Sequence, residues 1–347
     1  MPDTSLRSRL ALAAIKRRLP SLVAADPVAG LSDGLHVAVV GSGSPLPDRQ
    51  RGNPCAAVIA GGRIFVVDAG ERSAETMNRM QLAPSRIAAV LLTHFHSDHI
   101  GGLGTVNLQR WVADAADTPM RVLGPSGVER VVAGFNEAYA LDNSYRTGHH
   151  GPEVAPPSGA SMVAEPFSIP EGEDAAVVLD EDGLKVTAFT VEHPPIEPAL
   201  GYRFDYRGRS AVISGDTNYT PGLIRVARGA DLLLHDALSI ELLKLVEDAA
   251  GKAGLEMRRR ILADVADYHA TAPQAADAAR ESGVGALAIT HIVPPLPLKG
   301  LEAIFLGDAR EHFGGELWLA RDGDIYSLRS GETGVRRASM MGRFPRR

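Results

Sequence analysis

Apolar residues fall along this chain in short runs punctuated by glycine, proline and charge, and the runs switch between strand-like and helix-like spacing. Residues 36–40 read as a strand closed by Gly41-Ser42-Gly43-Ser44-Pro45. Residues 56–60 and 64–67 flank Gly61-Gly62 and read as a hairpin. Residues 85–92 lead into a strand, and 127–140 read as a helix. Strands follow at 185–191, 201–206 and 210–214, with short buried strands at 232–234 and 286–290. Residues 240–249 and 273–281 have helical spacing, and 317–320 with 325–328 read as a last hairpin around Asp322-Gly323. Strands and helices mixed in this way predict a layered α/β protein with helices outside two sheets.

The pattern divides the chain into a body at 35–330 and two flanks. Leu6, Leu10, Ala13 and Arg17 are spaced as on an amphipathic helix, so 1–34 reads as a helical extension. Its apolar stretch runs straight into Lys16, Arg17 and Arg18, which is too short for a secretory signal. Such a helix either packs on the body or, as a basic amphipathic helix, lies on an anionic membrane; packing is the simpler expectation. Residues 142–182 are rich in Pro, Gly, Asp and Glu and read as an insertion or lid. Residues 331–347 form a basic tail, expected to be disordered at its end.

Composition narrows the function. A net charge of -6 gives no global basic field and no strong nucleic-acid signal. The single cysteine, Cys55, excludes an intramolecular disulfide and a thiolate metal cluster, and reads as a small core residue. A cytoplasmic location is the simplest expectation, with export left open. No apolar run approaches the roughly 18–20 residues of a membrane span.

The chemistry concentrates at Thr93-His94-Phe95-His96-Ser97-Asp98-His99, which follows an apolar strand and precedes Gly101-Gly102. Three histidines and an aspartate within one short loop are ligand-capable groups that a single ion cannot easily take together. Splitting them between two adjacent ions is sterically simpler, and imidazole suits zinc and related metals.

That HxHxDH loop resembles the signature loop of the metallo-β-lactamase superfamily. Further matching positions appear in order, each just past an apolar run: Asp68, His193, Asp216 and His291. The resemblance implies an αβ/βα four-layer sandwich with a two-metal site. His94, His96 and His193 would hold the first ion, Asp98, His99 and His291 the second, and Asp216 would bridge them. Two Zn2+ ions are expected, with Mn2+ or Fe possible from ligand type alone. Asp68 would orient the loop instead of binding metal.

Four features are similar to the ribonuclease Z and arylsulfatase-like branch: Gly41-Ser42-Gly43-Ser44-Pro45, Gly201-Tyr202-Arg203, His235-Asp236-Ala237 and Tyr268-His269-Ala270-Thr271. His269 lies just before a helix start capped by Thr271, where backbone N–H groups favour an anion. The resemblance implies that His269 meets the attacked group and that Asp236, in place of the branch's glutamate, holds it. Asp98 would also manage protons.

The implied reaction is attack by a metal-bridging hydroxide on a small or medium-sized phosphodiester or sulfate ester. Alternatives are a β-lactam or lactone hydrolase and a non-catalytic metal- or RNA-binding module. Ribonuclease Z enzymes carry a tRNA-gripping arm between the third ligand histidine and the bridging aspartate. Here only a hairpin fits between His193 and Asp216, which disfavours tRNA 3'-processing. Relatives of this kind are often homodimers, so the resemblance leaves a homodimer possible, and the oligomeric state stays open.

Overall fold

The computed structural model describes residues 6–341. Strands β1 (Gly34–Gly41), β2 (Cys55–Ala60), β3 (Arg63–Val67), β4 (Ile87–Leu91), β5 (Met120–Pro125) and β6 (Met162–Phe167) build one sheet. Strands β7 (Ala175–Glu181), β8 (Leu184–His193), β9 (Ile196–Tyr206), β10 (Arg209–Ile213), β11 (Leu232–Leu238), β12 (Ala286–Val293) and β13 (Glu316–Leu319) build the second. The chain then returns to the first sheet with β14 (Asp324–Arg329) and β15 (Arg336–Ser339). The sheet orders are β15-β14-β1-β2-β3-β4-β5-β6 and β13-β12-β11-β10-β9-β8-β7.

The two-residue period of the strands explains the layering. Leu35, Val37 and Val39 face the core between the sheets, together with Phe65, Tyr202 and Phe204. Ala38 and Val40 point the other way, into a layer shared with Val106 and Val128 from the covering helices. A matching layer backs the second sheet, where the alanine-rich helix Ala272–Ser282 packs on Leu233 and Leu287. Central strands buried on both faces are therefore continuous apolar runs. The architecture is the expected αβ/βα sandwich of two sheets between helical layers.

Four expectations need correction. Residues 317–320 and 325–328 are not a hairpin: β13 pairs in parallel with β12, while β14 pairs antiparallel with β1 in the other sheet. Asp322-Gly323 is thus a crossing between sheets, and local turn chemistry cannot distinguish the two. Residues 142–182 are not a lid. The helix Val128–His150 runs through 150, and β6 and β7 are edge strands of the two sheets. Edge strands keep one side wet, so their apolar pattern is diluted. Their acidic residues have a structural use: Arg121 donates to Glu165 at 2.7 Å and to Glu181 at 2.8 Å, joining the edges of both sheets.

The basic tail likewise supplies β15, although residues 342–347 lie outside the described residues. Finally, the N-terminal helix Leu6–Val23 forms but does not pack on the body: Leu6 is 73% and Leu10 61% exposed. No helix among the described residues is long and apolar enough to cross a membrane.

Candidate metal centre

The histidine loop is held from both sheets. Asp68 ends β3 at a positive φ of 57, and its carboxylate accepts from the Thr93 N–H and the Thr93 hydroxyl, each at 2.8 Å. The same carboxylate lies 2.8 Å from His99 Nδ1. From the second sheet the Tyr202 hydroxyl donates to the Leu92 carbonyl at 2.6 Å, and the Leu200 N–H to the Thr93 carbonyl at 3.1 Å. Gly201 between them is required because a side chain there would strike the Phe189 ring. The loop then turns into the short helix Ser97–Ile100, which carries Asp98 and His99 inward.

The remaining groups arrive on strand ends of the second sheet. His193 closes β8, and its Nδ1 lies 3.0 Å from the Tyr268 carbonyl. Asp216 follows β10 through Gly215, which turns at φ 65. His291 is the extra residue of a bulge in β12: Asp236 pairs with Thr290 and Ala237 with Ile292, leaving His291 between them. The bulge re-aims its side chain toward the other sheet.

All seven groups meet in one place. Ligand atoms of His94, His96, His193 and Asp216 lie within 4.8 Å of one another, and so do those of Asp98, His99 and His291. His96 Nδ1 is 2.9 Å from His94 Nε2 and 3.3 Å from His193 Nε2. Asp216 Oδ2 is 4.0 Å from His94 Nε2, 3.2 Å from His99 Nε2 and 3.1 Å from His291 Nε2. One carboxylate oxygen therefore stands within reach of both sets. Asp98 Oδ2 sits 3.5 Å from His291 Nε2, and both are buried without a hydrogen-bond partner. Orphaned buried donors of this kind, with nitrogen and carboxylate chemistry and no thiolate, fit divalent cations.

The two sets differ electrostatically. Burial, aided by neighbouring His99, holds His94 well below the usual histidine range. Burial also lowers His96 and His193, so these rings are neutral and offer lone pairs. Burial opposes the charge on His99 and His291 too, but Asp216 and its companions outweigh it. His99 rises well above its ordinary value and His291 is pushed up to about 10. At neutral pH the metal-free protein therefore keeps protons on His99 and His291, and a cation must displace them. Cation affinity is expected to rise with pH up to about 10, where His291 gives up its proton. Each displaced proton contributes about tenfold per pH unit. Calorimetric titration of metal-free protein in buffers of different ionisation enthalpy counts the protons released; a value of zero would contradict this picture.

His269 and Asp236 also come together. Thr271 caps the helix Ala272–Ser282 in a reciprocal capping box with Gln274, which fixes the chain just after His269. His269 Nδ1 lies 2.9 Å from Asp236 Oδ2, and the His269 ring centroid is 5.0 Å from that of His291 and 5.3 Å from that of His193. Asp236 is fully buried; His235 Nδ1 approaches its Oδ1 to 3.1 Å, and the Thr217 N–H donates to its Oδ2 at 3.3 Å. Burial works against the charge of Asp236, but His235 and His269 keep its carboxyl below the usual range.

Sequence reading assigned no role to Thr93, Tyr268, His235 or Thr217. Thr93 alone had a signal, since a hydroxyl preceding the histidine loop is placed to bond Asp68. The others act through backbone groups or tertiary approach. Beside the metal groups, a cleft of about 260 Å³ is lined by Ser44, Asp48, Asn53, Arg72 and Asp98. Between His193 and Asp216 the chain has only β9, β10 and two tight turns, the second at Arg207-Gly208 with both residues at positive φ.

Comparison with known proteins agrees with this geometry. Residues 63–292 match the family model described as a beta-lactamase superfamily domain. A ribonuclease Z of Mycobacterium marinum is 34% identical over 290 residues, covering 83% of this chain and 96% of that protein. A ribonuclease Z of Mycolicibacterium gilvum is 36% identical over 264 residues, covering 76% and 85%. The crystal structure of human tRNase Z, short form, superposes with a TM-score of 0.59 and is 21% identical, covering 84% of this chain and 99% of that one. Relatives named for a ribonuclease stand against the expectation of a small ester substrate without nucleic acid. The fold, the His/Asp cluster suited to divalent metal and the relatives converge: the chain belongs to the metallo-β-lactamase superfamily, in its ribonuclease Z-like branch, and is a metal-dependent hydrolase.

Proposed function

We propose that this chain hydrolyses phosphodiester bonds at a centre of two divalent cations, zinc being the first choice for so nitrogen-rich a donor set. In this reading His94, His96 and His193 hold one cation, Asp98, His99 and His291 the other, and Asp216 reaches both. Bound cations supply Lewis acidity toward the phosphoryl group and make water acidic enough to attack near neutral pH. Asp98, whose Oδ2 has no other hydrogen-bond partner, accepts a proton from the attacking water. Asp68 and Thr93 keep the histidine loop in place.

The observation that carries the choice of a phosphodiester is the His269–Asp236 pair. With Nδ1 engaged by a buried carboxylate, the His269 ring offers Nε2 to an attacked group or leaving oxygen at the cluster. A donor aimed at developing negative charge serves a phosphoryl transfer well. The relatives named ribonuclease Z support RNA within this substrate class. The tight turns between His193 and Asp216 leave no arm to grip a whole precursor tRNA.

The test is a panel on one metal-loaded preparation: bis-nitrophenyl phosphate, nitrophenyl sulfate, a chromogenic β-lactam, a lactone and precursor tRNA at physiological salt. The phosphodiester is expected to turn over fastest and the precursor tRNA poorly. Preference for the β-lactam or the lactone would sink the reading, and efficient tRNA trimming would remove the argument from the missing arm.

A further inference from the structure

In the helix Leu6–Val23 the side chains of Leu6, Leu10, Leu12, Ile15 and Leu19 are uncovered. Leu12, Ile15 and Leu19 are 55%, 59% and 50% exposed and recur three and four residues apart, which puts them on one face. At about 100° per residue, Arg7 and Arg18 border that face on one side and Lys16 on the other. The helix contains no acidic residue, although the whole chain carries a net charge of -6. Among the described residues no carboxylate pairs with Arg7, Lys16, Arg17 or Arg18.

We propose that this helix lies in the plane of an anionic lipid surface, with Leu12, Ile15 and Leu19 in the acyl boundary. Cations on both borders of an apolar face match such a surface, because their long stems lie along apolar material while the charges reach lipid phosphates. The acidic body is repelled by the same surface, so contact is confined to the helix. A second copy of the chain is the other occupant of such a face, and the light-scattering arm of the test separates it.

The attachment point keeps the metal centre free. The helix joins the body at Asp26, which pairs with Arg86, and at buried Val28, just before β1. β1 then runs its eight residues to Gly41, which lines the pocket beneath Asp216 and His291. That separation is about 23 Å at the usual strand rise.

The experiment is sedimentation of the full chain with vesicles of phosphatidylcholine containing phosphatidylglycerol, and with vesicles of phosphatidylcholine alone. Binding is expected to the anionic vesicles only, and to weaken with salt. Arg7→Gln/Lys16→Gln/Arg18→Gln keeps helix-forming residues and is expected to lower partitioning by roughly fivefold per cation, on the order of 100-fold in all. Leu12→Ser/Ile15→Ser/Leu19→Ser is expected to abolish it. Both variants should hydrolyse bis-nitrophenyl phosphate at the parent rate. Absence of binding to anionic vesicles at low salt overturns the proposal, as does undiminished binding by the glutamine variant. Light scattering that finds a dimer converted to monomer by the serine variant would give the face to a second copy and also overturn it.

Discussion

Asp216→Asn is expected to lower phosphodiester turnover by at least about 10³ and to reduce bound metal from about two ions per chain to one or fewer. The reasoning starts from its position: one oxygen stands 4.0 Å from His94 Nε2, 3.2 Å from His99 Nε2 and 3.1 Å from His291 Nε2. The amide is isosteric but uncharged, so the fold persists while the charge that balances two cations is gone. Loss of cation stabilisation worth several kcal/mol in the transition state corresponds to about 10³ in rate or more. His96→Ala, which removes a partly buried ring from one set only, should likewise abolish hydrolysis and lower occupancy. Metal analysis and turnover measured together decide the matter. Full activity with a single ion, or in strong chelator, would rule out the two-cation reading.

His269→Ala is expected to keep both ions and the fold while lowering turnover by roughly 10²–10³, the loss typical of one transition-state donor. Asp236→Asn should do less, because it leaves the ring present and disturbs only its orientation and charge. A purely structural role would lower activity on every substrate alike. The proposed role instead predicts a larger loss on an anionic phosphodiester than on a neutral lactone, and a change in kcat more than in KM. Metal lost from His269→Ala would make it a ligand, which its place within 4.8 Å of the Asp216 and His291 ligand atoms allows. Metal content and the ratio of the two activities separate these outcomes.

Legibility from sequence followed burial. Strands covered on both faces carry apolar runs, residues 37–40 in β1 and 232–234 in β11, and stand out. β6 and β7 do not: as edge strands they leave Val163 and Val177 exposed, and their acids serve Arg121. The helix Leu103–Ala113 was not legible either, since it starts straight after the glycine-rich Gly101-Gly102 and carries a further glycine, Gly104. Gly104 is there because the Tyr139 ring packs where a side chain would be, a fact of tertiary structure alone. The histidines and aspartates that cluster were legible because four crowd one loop and the rest end apolar runs. What holds them was less so: the Tyr268 carbonyl under His193 and the bulge that turns His291 depend on chain segments far apart in sequence.

The crossing between the sheets at Asp322 bears on how the protein comes to be active. The Asp322 carboxylate accepts from the Ser42 N–H at 2.9 Å and the Gly52 N–H at 2.7 Å, holding the two ends of the β1–β2 loop that borders the cleft beside Asp98. Arg51 in that loop donates to the Ala320 carbonyl. Residue 42 and residue 322 are 280 positions apart. During synthesis, the histidine loop and its strand neighbours are therefore delivered long before the residue that shapes the wall of their cleft. A nascent chain carries its histidine loop early, yet His291 arrives just before Asp322, and the loop bordering the cleft is tied only when the last strands dock. Contacts of such sequence separation form late and slowly, so hydrolysis is a property of the finished chain, and shortening it before residue 322 leaves the first-made part of the site without its final form.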